Sequence, residues 1–172
     1  MVDGNNTTQT EKVKLLYVGR LKVEKGIFSL IKLIKKLPNH LELTIVGESK
    51  QSEKISFPNI RIFPIENDVR NLIKRYDDCN IFILPSFTEG HPMVLFEALS
   101  RMRPVIIFEE IQHIIGNKRG IFISERNSQS LEKTIEHIKK NHSMIYDEMK
   151  NNQLPTKDQF IKQFEDLILS TN

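Results

Sequence analysis

Residues 80–108 read NIFILPSFTEGHPMVLFEALSRMRPVIIF, and this stretch decides the fold. Asn80 to Leu84 is a nearly continuous apolar run, the pattern of a strand buried on both faces of a parallel sheet. Pro85 breaks the run. Met93 to Arg101 has helical spacing, with Pro92 at its mouth, where a missing N–H costs nothing. Pro104 to Phe108 returns to a short apolar strand. Strand, helix and strand in that order make a crossover unit, whose two strands run parallel.

The alternation continues on both sides. Lys12 to Val18 reads as a strand ending at Gly19, and Leu41 to Val46 as another ending at Gly47. Between them, Ile27 to Leu37 is a helix, with apolar residues at 27, 30, 31 and 34 on one face. Asn59 to Phe63 and Gly120 to Ile123 are further strands. Val69, Leu72, Ile73 and Tyr76 mark one helix, and Leu131, Ile135 and Ile138 another. Thr156 to Gln159 forms a capping box before a last helix that runs to residue 169. The expected fold is α/β: a single Rossmann-like, doubly wound parallel sheet with helices on both faces. Ligands of such sheets bind beyond the carboxyl ends of the strands. Attention therefore falls on the loops at Gly19-Arg20, Gly47-Glu48, Phe63 to Asn67, Ser86 to His91 and Phe108 to Gln112.

Composition narrows the class. At 172 residues the chain can bury a core as one domain, and 39% hydrophobic with 27% charged residues is ordinary for a soluble globular protein. A net charge of +3 suits an anionic small ligand and is too weak to argue for nucleic acid. The lone Cys79 excludes a disulfide framework and a cysteine-built zinc site, and reads as a small buried hydrophobe. Residues 1–12 are polar and read as a flexible lead-in or linker, without the apolar core of a secretory signal. With no run of transmembrane length, a cytoplasmic location is expected.

Two loops carry candidate chemistry. In VGRLKVEKG, residues 18–26, Arg20 and Lys25 flank a turn between strand and helix. Two cations and the free amides of a helix start make an anion site, although the loop taken alone is better read as a solvated basic turn. The stretch is neither a Walker A loop nor a G-x-G-x-x-G fingerprint. In the second loop the amides of Met93 and Val94 point back toward the crevice and suit a phosphate or sugar oxygen. Glu89, just before the helix, can accept bonds from sugar hydroxyls. Glu97, one turn in, can hold a ribose diol, the solution that dinucleotide folds also use. Chance spacing explains two glutamates as well, and His91 fits a water-exposed cap as readily as a contact.

GRLKVEKG followed by EGHPMVLFEALS resembles the donor-binding domain of retaining GT-B glycosyltransferases, the large family 4 and its relatives. Arg20 and Lys25 match the family's basic pair, Glu89 and Glu97 its E-x7-E, and the order of elements fits along residues 13–169. The resemblance implies that residues 13–172 are a nucleotide-sugar domain, the C-terminal half of a two-domain enzyme whose N-terminal domain holds the acceptor. It implies a nucleoside diphosphate-sugar donor with Arg20 and Lys25 on the diphosphate. Glu89, Gly90, His91 and the amides of Met93 and Val94 would face the sugar, and Glu97 the ribose. It further implies transfer with retained configuration and no cofactor or required metal, and no D-x-D motif occurs. Glu89 is the catalytic candidate if a carboxylate takes part. Any membrane contact would come through the missing domain.

Two positions depart from the pattern. FEEIQHIIG stands where the family carries a glycine pair and a Pro-Glu step, and Pro64 replaces a glycine after the third strand. Glu109 and Glu110 read as a solvated turn. Two other classes use the same residues. One is a non-catalytic nucleotide- or sugar-binding module. The other is a doubly wound interaction domain in which the charges serve no ligand.

Overall fold

The computed structural model describes residues 12–47, 57–154, 156, 158 and 159. Six parallel strands form one sheet in the order β3-β2-β1-β4-β5-β6. They are β1 Val13–Val18, β2 Leu41–Val46, β3 Ile60–Phe63, β4 Ile81–Leu84, β5 Val105–Phe108 and β6 Ile121–Ser124. Five helices accompany them: α1 Ile27–Ile34, α2 Val69–Asp77, α3 Met93–Ser100, α4 Ser128–Lys140 and α5 His142–Met149. The expected doubly wound α/β sheet is the observed one.

The core follows from the patterning. Every residue of β4 and β5 is buried, as their unbroken apolar runs require of central strands covered on both faces. In β2, Leu41, Leu43 and Ile45 are buried while Glu42 and Thr44 are half-exposed, because strand side chains alternate between faces. On α1, Ile27, Leu30, Ile31, Leu33 and Ile34 pack inward. Burying each such side chain contributes about 1.5–3 kcal/mol. The helix stops at Ile34, three residues short of the apolar pattern. Lys36 and Leu37 make the tighter bonds of a frayed turn ahead of Pro38.

Two elements were not legible in the sequence. Helix α5 buries only Ile145 and Met149, four residues apart, too sparse a stripe to stand out. Glu109–Ile114, expected as an open loop, is a 3-10 segment with Ile111 and Ile114 buried beneath it. At the chain's end, Thr156 and Gln159 exchange the two bonds of the capping box. The helix expected beyond, and the lead-in over residues 1–11, lie outside the described residues.

The sheet order sets the location of the crevice. β2 and β3 follow β1 on one side, then the chain crosses to β4 on the other. The order reverses between β1 and β4, and a groove opens there beyond the strands' carboxyl ends. The loops that flank this switch point are residues 19–26 and 85–92, those that carry the two motifs. Among the described residues no helix is long and apolar enough to cross a membrane.

Candidate functional site

The first loop is shaped by close backbone packing. Tyr17, buried in β1, donates its hydroxyl to the carbonyl of Arg20 at 2.7 Å and so turns the chain out of the strand. Burial first, and the nearby Glu89 carboxylate second, raise the Tyr17 pKa, so the phenol stays a neutral donor. Val23–Lys25 form one 3-10 turn, and Gly26 follows with φ of 66°. A Cβ on Gly26 would stand 1.7 Å from the carbonyl oxygen of Pro85, so glycine is required both for conformation and for contact with the second loop. The Phe87 amide donates to the Glu24 carbonyl at 3.0 Å, which completes the seam between the loops.

Across this seam the charges meet. Lys25 Nζ lies 2.7 Å from Glu89 Oε1, and the same oxygen accepts from Ser86 Oγ at 2.6 Å. Ser86 is fully buried, and the Glu89 side chain is 9% exposed against 25% for Lys25. The pair is thus held firmly, yet its lysine end faces the crevice. Arg20 is exposed at the rim and makes no ion pair among the described residues. The structure therefore brings together Lys25 and Glu89, and the Arg20 side chain pairs with neither.

Helix α3 rises from the second loop. Pro92 is its N-cap in an extended conformation, not its first helical residue, and no side chain caps the helix. Met93 and Val94 supply the first amides, and the first backbone bond back is from Leu95 to the Pro92 carbonyl, at 3.1 Å. Such an uncapped start carries a partial positive charge that favours an anion. Gly90 is exposed, and a Cβ there would meet nothing within 4 Å. His91 is exposed and packs against Phe96, with tilted rings whose centres lie 4.7 Å apart. One turn into α3, Glu97 Oε2 accepts from the buried Tyr76 hydroxyl at 2.7 Å. Burial and the Glu97 carboxylate together raise the Tyr76 pKa, which keeps its proton directed at Glu97.

The remaining loops close the site from the other side. His113 Nε2 lies 2.8 Å from the Glu89 carbonyl oxygen. A carbonyl only accepts, so Nε2 carries the proton. Glu110 accepts from Arg126 Nε at 2.7 Å, and this bond holds its carboxyl below the usual carboxylate range. Both Glu109 and Glu110 are exposed, as the expected solvated turn requires, and Glu110 is in addition tied to Arg126. Four residues were missed in the sequence: Ser86, Tyr76, His113 and Arg126. Tyr76 gives the fairest signal, being the one polar tip on the apolar face of α2. The other three show themselves only through contacts distant in sequence. No group of three or more His, Cys, Asp or Glu among the described residues is placed to hold a metal ion.

Fold, switch-point crevice and paired motifs agree with the sequence comparisons. The profile of the family "Glycosyl transferases group 1" matches residues 3–154, and the chain belongs to that family. It is 31% identical over 146 residues to a protein of Bacillus subtilis strain 168 named as a teichuronic acid biosynthesis glycosyltransferase, TuaC. That match covers 77% of this chain and 37% of the relative. The capsular polysaccharide biosynthesis glycosyltransferase CapM of Staphylococcus aureus is 26% identical, with 81% of this chain and 42% of CapM covered. Among solved structures, HepE from Anabaena in complex with UDP and glucose superposes with a TM-score of 0.76. The overlap takes in 93% of this chain and 49% of that one, at 16% identity, a likeness of fold. The chain spans about two fifths of the curated relatives' length.

Proposed function

We propose that this chain is the donor half of a glycosyltransferase, binding a nucleoside diphosphate-sugar at the β1–β4 crevice for transfer to a saccharide or lipid-linked acceptor. The observation that carries the reading is the Lys25–Glu89 contact of 2.7 Å across the switch point, in the two loops of which the second leads into the uncapped start of α3. Cation, helix amides and carboxylate face the same space. That is the set needed to hold a diphosphate on one side and sugar hydroxyls on the other. Lys25 and Arg20 take the diphosphate, and the Met93 and Val94 amides neutralise charge on it. Glu89 and Gly90 border the sugar, with His91 at its edge, and Glu97 binds the ribose through the oxygen that Tyr76 leaves free. The neighbour solved with UDP and glucose, and relatives named for teichuronic acid and capsule synthesis, support a sugar nucleotide and a polysaccharide product.

The chemistry follows from the charges. As the anomeric carbon–oxygen bond breaks, negative charge builds on the leaving phosphate, where Lys25 and the α3 amides stabilise it. The acceptor oxygen bonds to the same face, with retained configuration, and its proton passes to the departing phosphate oxygen. No metal takes part in this scheme. In this reading Glu89 borders the sugar, but its Oε1 is already committed to Lys25 and Ser86. This favours a role in orienting the sugar over one as nucleophile. The acceptor is the business of the N-terminal domain that the partial span of the relatives implies, and any membrane contact belongs to it as well.

The test is calorimetry of the 172-residue chain with UDP, GDP and ADP and their glucose or mannose esters, beside a turnover assay. Binding of a nucleoside diphosphate without sugar transfer is expected. Substituting Glu89→Ala should spare the nucleotide and weaken only the sugar ester. Robust transfer by the chain alone would refute the division of labour between two domains. Failure to bind any of the nucleotides would favour an interaction module.

A further inference from the structure

The crevice has a buried cation that the donor scheme leaves unused. Arg126 stands in the loop after β6, and its side chain is only 15% exposed. Its Nη1 donates to the Pro85 carbonyl at 2.9 Å, and its Nη2 to the Ser86 carbonyl at 3.3 Å. Nε and Nη2 grip Glu110 at 2.7 and 3.1 Å. The guanidinium also lies over the rings of Phe87 and Phe108, 4.1 and 4.3 Å from their centres. Four of its five N–H groups are thus spent on the protein, and little is left for a ligand.

We propose that Arg126 is a positioning residue for Glu89, a guanidinium clasp that fixes the 85–92 loop in the geometry that meets the donor sugar. This rests on the donor-site reading of that loop. Two lines of contact run from Arg126 to Glu89. The first passes through Ser86, whose carbonyl Arg126 holds and whose hydroxyl donates to Glu89 Oε1. The second passes through Glu110 and the 3-10 segment to His113, which donates to the Glu89 carbonyl. Side chain and backbone of Glu89 are therefore both constrained from one point. Lys25 is held on the other side of the same carboxylate. The clasp also stands where FEEIQHIIG departs from the family's glycine pair, so this chain holds the sugar side of its crevice by its own means.

The planar fork matters, because a carboxylate and two carbonyls accept from fixed directions. Without it the loop samples other conformations, and affinity falls by the fraction of time that the competent one is lost. Glu97 stands on α3, outside this loop, and Lys25 stands on the opposite loop, so nucleotide contacts change less than sugar contacts do.

The experiment compares wild type, Arg126→Ala, Arg126→Lys and Glu110→Gln in the full chain. Amide hydrogen exchange of residues 86–91 is read without ligand. Affinities for UDP and UDP-glucose, and for GDP and GDP-mannose, are read by calorimetry. Arg126→Ala should speed exchange at Phe87 to His91 and leave β1 and β2 protected. It should cost about tenfold for the sugar ester and under about twofold for the bare nucleotide. Arg126→Lys should fail to restore the ratio, and Glu110→Gln, an exposed change that spares the fold, should cost about threefold on the sugar ester alone. Unchanged exchange in Arg126→Ala, or in Glu110→Gln should the first variant not fold, would overturn the clasp. So would equal losses for nucleotide and sugar ester. A wild-type chain that binds none of these probes would instead overturn the donor-site reading, with the exchange comparison still deciding the clasp.

Discussion

The two walls of the crevice are built on opposite plans. The wall made by the loops after β1 and β4 keeps bonding capacity in reserve. Lys25 spends one of its three donors, Glu89 has Oε2 unbonded among the described residues, and the first amides of α3 lack a side-chain cap. The wall made by the loops after β5 and β6 spends its capacity on the protein, within itself and on the backbone of the loop after β4. Arg126 and Glu110 satisfy one another, and His113 turns its proton to a backbone carbonyl. Reserve is what a ligand needs, and self-satisfaction is what a support needs. On the proposed reading, the difference separates groups left for a ligand from groups that hold the loops in place.

The sharpest way to break this comparison is Lys25→Ala. A hydrogen bond to a charged group is worth about 1.5–3 kcal/mol net, and about 1.4 kcal/mol is tenfold. Nucleoside diphosphate affinity should fall about ten- to hundredfold. The loss should shrink for the monophosphate and vanish for the nucleoside, because each missing phosphate removes part of the lysine's partner. Stability should change by no more than about 1 kcal/mol, since the pair is partly exposed. Titration of the three ligands, with melting curves as control, measures both. Equal losses for all three would mean that the first wall does not bind phosphate.

A smaller effect is expected at the ribose end, where the two plans meet. Glu97 belongs to the binding wall, but Tyr76 holds it from beneath. Tyr76→Phe removes one hydrogen bond, about 1 kcal/mol, and should weaken UDP or GDP about fivefold while leaving pyrophosphate untouched. Glu97→Ala should act in the same direction and more strongly. Competition assays with nucleotide and pyrophosphate separate the cases. A loss shared by pyrophosphate would assign Tyr76 to the fold and not to the site.

The same contrast explains what could be read in the sequence. The α/β alternation and the positions of Lys25, Glu89 and Glu97 were legible because each rests on local pattern. Strand periodicity, a glycine after a strand and an acid one helical turn from a proline all show within short windows. Gly26 was visible as a glycine, but its reason, the Pro85 carbonyl against it, lies across the sheet. Arg126 and Ser86 are 40 residues apart, and Ser86 needs its buried setting to matter. Glu110 looked like any exposed acid, because nothing near it in sequence announces a guanidinium. Holding contacts are long-range by nature, since they tie together loops that the sheet brings side by side. Binding motifs are short because the helix start and its preceding loop already converge.

The least of the expected effects concerns the holding wall in acid. Hydrogen bonding from Arg126 holds the Glu110 carboxyl below the ordinary carboxylate value, which is about 4.3. A group whose folded pKa is depressed adds stability that is present above its unfolded pKa and lost as pH falls through the folded one. The contribution of Glu110 should therefore be whole above about pH 5, and drain away below its unperturbed value. Its side chain is 37% exposed, so the effect should stay below about 1 kcal/mol. Asp77, Glu42 and Asp68, lowered by Arg101, Lys12 and Arg70, lose their own contributions over the same acid range. A melting curve of the wild type alone cannot isolate the clasp. The difference between wild type and Glu110→Gln can, because the other three carboxylates are common to both. That difference should favour the wild type at about neutral pH and close toward zero on acidification. A gap that persists once the Glu110 carboxyl is protonated would show that Glu110 supports its segment by packing or neutral hydrogen bonding, and that its charge contributes nothing to the second wall.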